Sequence, residues 1–556
     1  MRTTLWGSSR SRPHDSLRVG TDLVIDLAQA DGANVAHGVA LDDHLGSDAR
    51  IAVDAEAGER YGRWRLDKGE SLTIDGVDLT RIWEVEMMAQ CFQPAARLAQ
   101  GLPRALDALH PSCLEIRSSL GPGMTRLAAA IAAAAGIAAT TEVDGAYVRE
   151  PIPRAEPSRL AFAAASLGMP PRLRGEVVCV PYWHLYPAIA ALAARDGHLQ
   201  PVASRLLLPG LGRRGALALA ARGGWLGLPG RRMRGASRAA VSAAVGAAGA
   251  GTNDDSLDCA IDSHALETLG RLAQDTLAHV WQARRALAGG RARLGLVPYD
   301  SDEHVRMLLS ALGEAGVPAL LVQHGFPARQ GDPDMRTAQH LAIWSEHERS
   351  LVPDRDPATV TVTGNPGATH LAGWTPADRA RSERSVVLVD YPGRLTARID
   401  ARVGPRHVAV ALAALAAARP GSVAVIRPHP SDLRPASYAR TADAQLDLRV
   451  EIDTGTPIEA LLGGSDLCIG ALSTATLQAC ALGIPTVFLD VAGIERPWPF
   501  DGSVLPMRTD ADGLADAVVT ALDTRQPAGR EAALDALGVR RDAVQRVVEL
   551  AADLAR

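Results

Sequence analysis

Between Ser422 and Asp490 the chain runs strand, loop, helix, strand, and that order constrains the fold more than any other part of the 556 residues. An apolar run with Val423, Val425 and Ile426 ends in Arg427-Pro428-His429-Pro430. A second, Leu467-Cys468-Ile469, ends at Gly470. Ser473-Thr474 opens an apolar helix from Ala475 to Leu482 that stops at Gly483. Pro485 introduces a third run, Thr486-Val487-Phe488-Leu489. Alternation of this kind builds a parallel sheet covered by helices. Such sheets bind ligands at the carboxyl ends of their strands, where His429 and Ser473-Thr474 both fall. A hydroxyl pair at a helix N-terminus, with N–H groups the helix cannot use, suits a phosphate. A histidine beside it can hydrogen-bond or protonate a phosphate oxygen. The pattern predicts a site for a nucleotide monophosphate or diphosphate.

The chain is too long for one ordinary core, so two or three domains are expected. A hydrophobic content of 47% supports large cores and excludes global disorder. A net charge of -5 and a pI near 6.3 exclude a general nucleic-acid binder. The cysteines at 91, 113, 179, 259, 468 and 480 form no CxxC pair, so they predict a reducing cytoplasm and no zinc site. The N-terminus lacks the apolar core of a signal peptide, and no run of about 20 apolar residues reads as a spanning helix. The expected location is the cytoplasm, with contact to the inner face of the membrane.

Further βα units precede the first. Cys113–Ile116 reads as a strand, followed by a Gly-Pro-Gly loop and an alanine-rich helix, Met124–Ala135. Val177–Val180 is a strand and Tyr182–Ala194 a helix. The pattern over 78–109 is helical, with breaks expected at Pro94 and Pro103. A long helix over 263–288 precedes strands at 293–298, 317–322, 342–344 and 360–362. The second of these strands ends in Gln323-His324-Gly325-Phe326, and the last in Thr363-Gly364-Asn365-Pro366. Residues 367–384 are polar and read as a linker. The expected organisation is an N-terminal α/β domain over 1–366, that linker, and a C-terminal α/β domain over 385–556 that binds the nucleotide. Together they predict two facing Rossmann-like domains with a central cleft.

Residues 197–253 contain no Asp or Glu and carry eight arginines, Arg205, Arg213, Arg214, Arg222, Arg231, Arg232, Arg234 and Arg238, among leucines and Trp225. Such a segment, 205–238 in particular, can lie on an anionic membrane surface. It can equally be a solvated connection whose arginine stems cover the domain's own core.

Four motifs in order, Gln323-His324-Gly325, Thr363-Gly364-Asn365-Pro366, Arg427-Pro428-His429-Pro430 and Ser473-Thr474, precede an alanine-rich helix and Gly483-Ile484-Pro485. In that order the chain resembles the GT-B-fold glycosyltransferases of bacterial surface polysaccharides, the capsule, polysialic-acid and Kdo-transferring enzymes. The teichoic-acid glycerophosphotransferases are a neighbouring group. The resemblance covers roughly residues 290 to 525. It implies a metal-independent enzyme without a cofactor that takes a sugar from a nucleotide-sugar donor to a glycan or lipid-linked acceptor. It implies that His429 contacts the donor phosphate and assists departure of the nucleotide, and that Ser473, Thr474 and Arg427 hold the same phosphate. Gly364 and Asn365 fall on the donor side, and His324 on the wall near the transferring sugar. Where the related enzymes often carry a ribose-binding Glu, this chain has Gln478. It further implies that the terminal helix crosses back onto the N-terminal half.

Each residue also has a plainer reading. His429 between prolines can be a rigid turn, Ser473 an ordinary N-cap worth about 1 kcal/mol, and His324 a core histidine. Asp300, with Asp302 and Glu303, can be a solvated turn and helix cap, or Asp300 can be a general base on an acceptor hydroxyl. The absence of HExxH, Walker A and GxSxG patterns excludes metalloprotease, P-loop kinase and hydrolase readings. Two alternatives to transfer remain: a nucleotide-sugar 2-epimerase, which needs several acid/base groups around one sugar and no acceptor surface, and a carbohydrate-binding protein without catalysis.

Overall fold

The computed structural model describes residues 2–6, 23–26, 38–40, 45, 47–111, 113–117, 122–142, 175–180, 182–196, 199–201, 229–250, 256–326, 335–374, 382–389, 403–429, 438, 447–491, 507–508, 513–523 and 529–556. The strands are β1 (Arg2–Trp6), β2 (Leu23–Asp26), β3 (Gly38–Ala40), a two-residue hairpin of β4 (Thr73–Ile74) and β5 (Val77–Asp78), β6 (Cys113–Arg117) and β7 (Ala138–Glu142). They continue as β8 (Val177–Cys179), β9 (Leu199–Pro201), β10 (Leu294–Val297), β11 (Ala319–Val322), β12 (His340–Ile343) and β13 (Val360–Val362). The last six are β14 (Arg384–Val389), β15 (Val423–Pro428), β16 (Arg449–Ile452), β17 (Leu467–Gly470), β18 (Thr486–Leu489) and β19 (Met507–Arg508).

Apart from the hairpin, these strands form three parallel sheets, in the orders β3-β2-β1-β6-β7, β13-β12-β11-β10-β8-β9 and β16-β15-β14-β17-β18-β19. The fold is therefore α/β. Unbroken apolar strands such as Leu294–Val297 and Ala319–Val322 are buried at every residue, as sheets covered on both faces require.

The sheets do not group as the sequence predicts. One compact unit draws on 1–154 and 229–279, and another on 155–228, 280–393 and 401–556. The expected single domain over 1–366 thus holds two sheets belonging to different units, whereas the second and third sheets share one. In the first unit, Tyr61, Trp64 and Phe92 pack as an aromatic cluster with centroids 5.4 to 6.2 Å apart. The helix Gln93–Leu109 carries Pro94 in its first turn and runs on through Pro103, where a break was expected. Burial of Leu98, Leu102, Ala105 and Leu106 holds it against the ~3 kcal/mol a mid-helix proline costs. The expected long helix over 263–288 is two, Leu257–Leu272 and Thr276–Leu287. Tertiary bonds mark the interruption: Ser237 Oγ donates to the Gln274 carbonyl, and Arg238 grips Asp275 at 2.9 and 3.1 Å.

In the second unit the terminal helix Ala543–Leu554 does return over the sheet that contains β10. Val547, Val548 and Ala551 pack with Leu294, Leu296 and Leu320. The expected linker begins as part of a packed seam: Ala368 and Leu371 join Trp344, Val386, Leu477 and Leu537 in one core. Asn365 N–H donates to Gly538 O at 2.8 Å, and Trp374 Nε1 to Leu482 O at 3.2 Å. These bonds fasten the residues just before the linker to the terminal segment, and Trp374 within it to the loop after the 474–481 helix. Residues 375–381 lie outside the described residues, as do 202–228 of the basic segment.

Candidate functional site

The third sheet reverses strand order between β14 and β17, the switch point where open parallel sheets take their ligands. β17 ends at Gly470. A Cβ there would meet Thr476 Oγ1 at 2.5 Å and Leu388 Cβ at 3.1 Å, so glycine lets the next helix sit close against the sheet. That helix is Thr474–Ala481, capped by Ser473, whose Oγ accepts from Thr476 N–H at 3.3 Å. Ser473 O takes the Leu477 N–H at 2.9 Å. The N–H groups of Thr474 and Ala475 point out of the helix end, towards the carboxyl edge of the sheet. His429 follows β15, its backbone N–H donating to Val389 O at 3.0 Å. Two strand spacings, about 10 Å, separate the ends of β15 and β17. One phosphate or pyrophosphate spans most of that gap.

The second sheet meets this helix end directly. Phe326 N–H donates to Thr474 Oγ1 at 3.0 Å. The loop that carries it is held by Gln323, whose Nε2 donates to Gly325 O at 3.0 Å and whose Oε1 accepts from Trp344 N–H at 2.9 Å. Trp344 Nε1 in turn donates to Gln323 O at 2.9 Å. Behind it, fully buried Glu348 accepts from Ser345 N–H and Oγ at 2.8 and 2.5 Å, and burial pushes its carboxyl above the usual range. His324 and Gly325, expected at the sugar side, therefore sit within two residues of a bond to the expected phosphate side.

His324 is not alone. The second sheet has its own switch point, between β8 and β10. Tyr182 follows β8, Tyr299 follows β10 and His324 follows β11. Their rings meet edge to face, with centroids 5.4 Å (Tyr182–Tyr299), 5.8 Å (Tyr182–His324) and 5.3 Å (Tyr299–His324) apart. His184 lies beneath, fully buried and 6.0 Å from His324, with Nε2 at 3.2 Å from Val322 O. Burial, with the charge His324 can carry, lowers the His184 pKa to about 3, so it stays neutral and donates from Nε2. Tyr182, Tyr299 and His184 were not singled out from sequence. The available signal was their position two to five residues after apolar strands.

Other expected residues have different roles. Asp300 is fully buried, and its carboxylate accepts from the N–H groups of Met335 (2.6 Å), Thr337 (2.5 Å) and Ala338 (3.0 Å). Burial raises its pKa, against the pull of Arg306 and those three donors. A carboxylate so enclosed anchors the 335–338 segment; it cannot reach an acceptor hydroxyl as a general base. Arg427 donates to Asp453 Oδ1 at 2.7 Å and to Asp453 O at 3.2 Å, so its charge is spent on the loop after β16. Gly364, at φ +83°, and Asn365 pack under the terminal segment: a Cβ on Gly364 would meet Arg540 Cδ and Gly538 O at 2.9 Å. They fasten the end of β13 to the terminal segment. Gln478 Nε2 donates to Glu459 Oε1 at 2.9 Å, and His370 Nε2 is 3.0 Å from the same oxygen.

Asp302, Glu303 and His304 bring ligand-type atoms within 4.8 Å of one another. Asp302 caps the 303–314 helix by accepting from His304 N–H at 2.9 Å, and His304 Nδ1 is 3.2 Å from Glu303. Burial opposes protonation of His304, but its bonds to Asp302 and Glu303 outweigh it and raise the pKa to about 9. An imidazolium between two carboxylates is an ion cluster in which the ring already occupies the place a cation would take.

No protein family and no curated protein matches the chain. Solved structures are similar to it at a distance. The S. aureus MnaA–UDP co-structure is 10% identical, with 67% of this chain and 95% of that chain covered at a TM-score of 0.41. The UDP-GlcNAc 2-epimerase from Methanocaldococcus jannaschii is 10% identical, with 67% and 98% covered at 0.42. MurG from Acinetobacter baumannii is 15% identical, with 68% and 99% covered at 0.37. Likeness this distant carries no functional weight.

Proposed function

We propose that this chain is an enzyme acting on a nucleotide sugar, with the phosphates at the N-terminus of the 474–481 helix and His429 across from them. Two facing Rossmann-like halves, the second and third sheets, would close on the donor. The observation that carries this reading is the 3.0 Å bond from Phe326 N–H to Thr474 Oγ1, which puts His324 of one sheet beside the phosphate-suited helix end of the other. In transfer, His429 would hydrogen-bond the leaving phosphate while the sugar passes to a glycan or lipid-linked acceptor. This follows the resemblance to surface-polysaccharide glycosyltransferases; CDP-glycerol would be the corresponding donor for glycerophosphate transfer.

The second reading, 2-epimerisation of the nucleotide sugar, is favoured by the ring cluster: two phenols and the His324 imidazole around one position supply acid/base groups without an acceptor surface. An acceptor at the membrane was expected from the basic segment. There Arg238 is already paired with Asp275, while Arg231 and Arg232 are exposed on the helix Arg231–Ala248. No helix among the described residues is long and apolar enough to cross a membrane.

Thermal unfolding with UDP, CMP, GDP and CDP tests the site first. A nucleotide at about 100 times its Kd stabilises the fold by about 2.7 kcal/mol. Incubation with the matching nucleotide sugars, with and without oligosaccharide acceptors, then separates the chemistries. Release of nucleotide only with acceptor supports transfer, an altered nucleotide sugar without acceptor supports epimerisation, and no binding of any nucleotide overturns both.

A further inference from the structure

We infer that Tyr182, Tyr299 and His324, over a floor of His184, form a binding cup for a neutral pyranose ring, and that the two tyrosines are what distinguish a nucleotide sugar from the bare nucleotide. The inference rests on the nucleotide-sugar reading and assigns its sugar subsite. The chain has 7 tyrosines and 15 histidines in 556 residues, so two of each converging from three strand ends is not the background of this composition. They converge at the β8/β10 switch point, the place in an open parallel sheet where a ligand has room. The three upper rings are only partly buried, so the cluster reaches the surface at the edge of the sheet.

The geometry selects the ligand class. Interplanar angles are 86° for Tyr182–Tyr299, 88° for Tyr182–His324 and 62° for Tyr299–His324. A flat base is best held between parallel rings, and this cluster has no parallel pair. A pyranose differs: its axial C–H groups form an apolar face for one ring, and its hydroxyl rim meets phenol and imidazole edges. None of these four groups is a permanent cation, and the helix N-terminus at Ser473 offers a phosphate the better site. The phosphate has its own place nearby. His324 is two residues from Phe326, at most about 7.6 Å along the chain, and Phe326 N–H is bonded to Thr474 at the helix end. In a glycosyl phosphate, sugar and phosphate are directly bonded, so one ligand reaches both.

The test compares the affinities of matched pairs by calorimetry: UDP and UDP-N-acetylglucosamine, CMP and CMP-N-acetylneuraminate, GDP and GDP-mannose. Wild type should bind one conjugate. The Tyr182→Leu, Tyr299→Leu double variant should bind that conjugate about ten- to a hundredfold more weakly, the loss expected for a buried aromatic contact. Its affinity for the matching nucleotide should stay within about twofold, a difference under ~0.5 kcal/mol. Should the leucine variant fail to fold, Tyr182→Phe with Tyr299→Phe keeps the rings and removes the hydroxyls; the conjugate alone should then weaken. Equal weakening of nucleotide and conjugate, or unchanged conjugate binding, overturns the sugar cup while leaving the nucleotide site standing. Binding of none of the six compounds by wild type overturns both.

Discussion

Thr474→Val tests the bond on which the site depends. Valine has the shape of threonine without the acceptor, so Phe326 N–H loses its 3.0 Å partner and the backbone stays otherwise intact. A donor stranded without an acceptor costs about 1 to 3 kcal/mol. Both residues are only partly buried, so water replaces part of the bond and the low end, about 1 kcal/mol, applies. The loss is local. Gln323 still holds Gly325 O and Trp344, so only the end of the loop is released. Hydrogen exchange at the Phe326 amide should therefore quicken about fivefold, while amides in β11 keep their protection. Nucleotide affinity should fall in the same variant, because Thr474 also borders the phosphate position. Thr474→Ser keeps the hydroxyl and should restore both. If valine changes neither exchange nor affinity, or if serine behaves like valine, the second sheet is not coupled to the helix end and the site as described falls.

His429→Ala should lower turnover by about 10² to 10⁴, while its backbone bond to Val389 O is kept; wild-type turnover would remove His429 from the reaction. Asp300→Asn turns a donor toward main-chain N–H groups and should destabilise the fold by about 3 kcal/mol, read from urea midpoints; a loss of turnover without loss of stability would return Asp300 to a catalytic role. The raised pKa of His304, about 9 against an ordinary 6.5, contributes stability that is complete below about pH 6.5 and lost as pH rises through 9. Urea midpoints should fall across that window by an equivalent of up to about 3 kcal/mol, and His304→Gln should flatten the fall. On anionic vesicles at low salt, Arg231→Ser with Arg232→Ser should reduce flotation, each arginine contributing about 1 kcal/mol; equal flotation would leave these arginines as solvated charge.

The periodicity of the sequence determined the element types. Runs such as Thr486–Leu489, β-branched, short and introduced by Pro485, read as buried strands, and Ser473 before an apolar stretch is a helix start with its own hydrogen-bond chemistry. The edge positions of His429, His324 and Ser473 follow from those boundaries. Periodicity is blind to partners. Asp300, Gly364, Asn365 and Arg427 occupy strand ends as expected, yet Asp300 bonds to Met335, Asn365 to Gly538 and Arg427 to Asp453, 26 to 173 positions away, and Gly364 packs against Arg540, which fixes loops and the seam between sheets. The break within 263–288 is likewise tied by Ser237 and Arg238. Domain membership is decided the same way, because a sheet joins whichever unit its covering helices reach, and Ala543–Leu554 reaches back to β10. The ring cluster is the clearest case. Tyr182, Tyr299 and His324 are 117 and 25 positions apart in the chain, and only the parallel pairing of β8, β10 and β11 brings them to one edge. The sequence specifies where chemistry can stand; which groups meet is set by strand order, a property of the folded sheet alone.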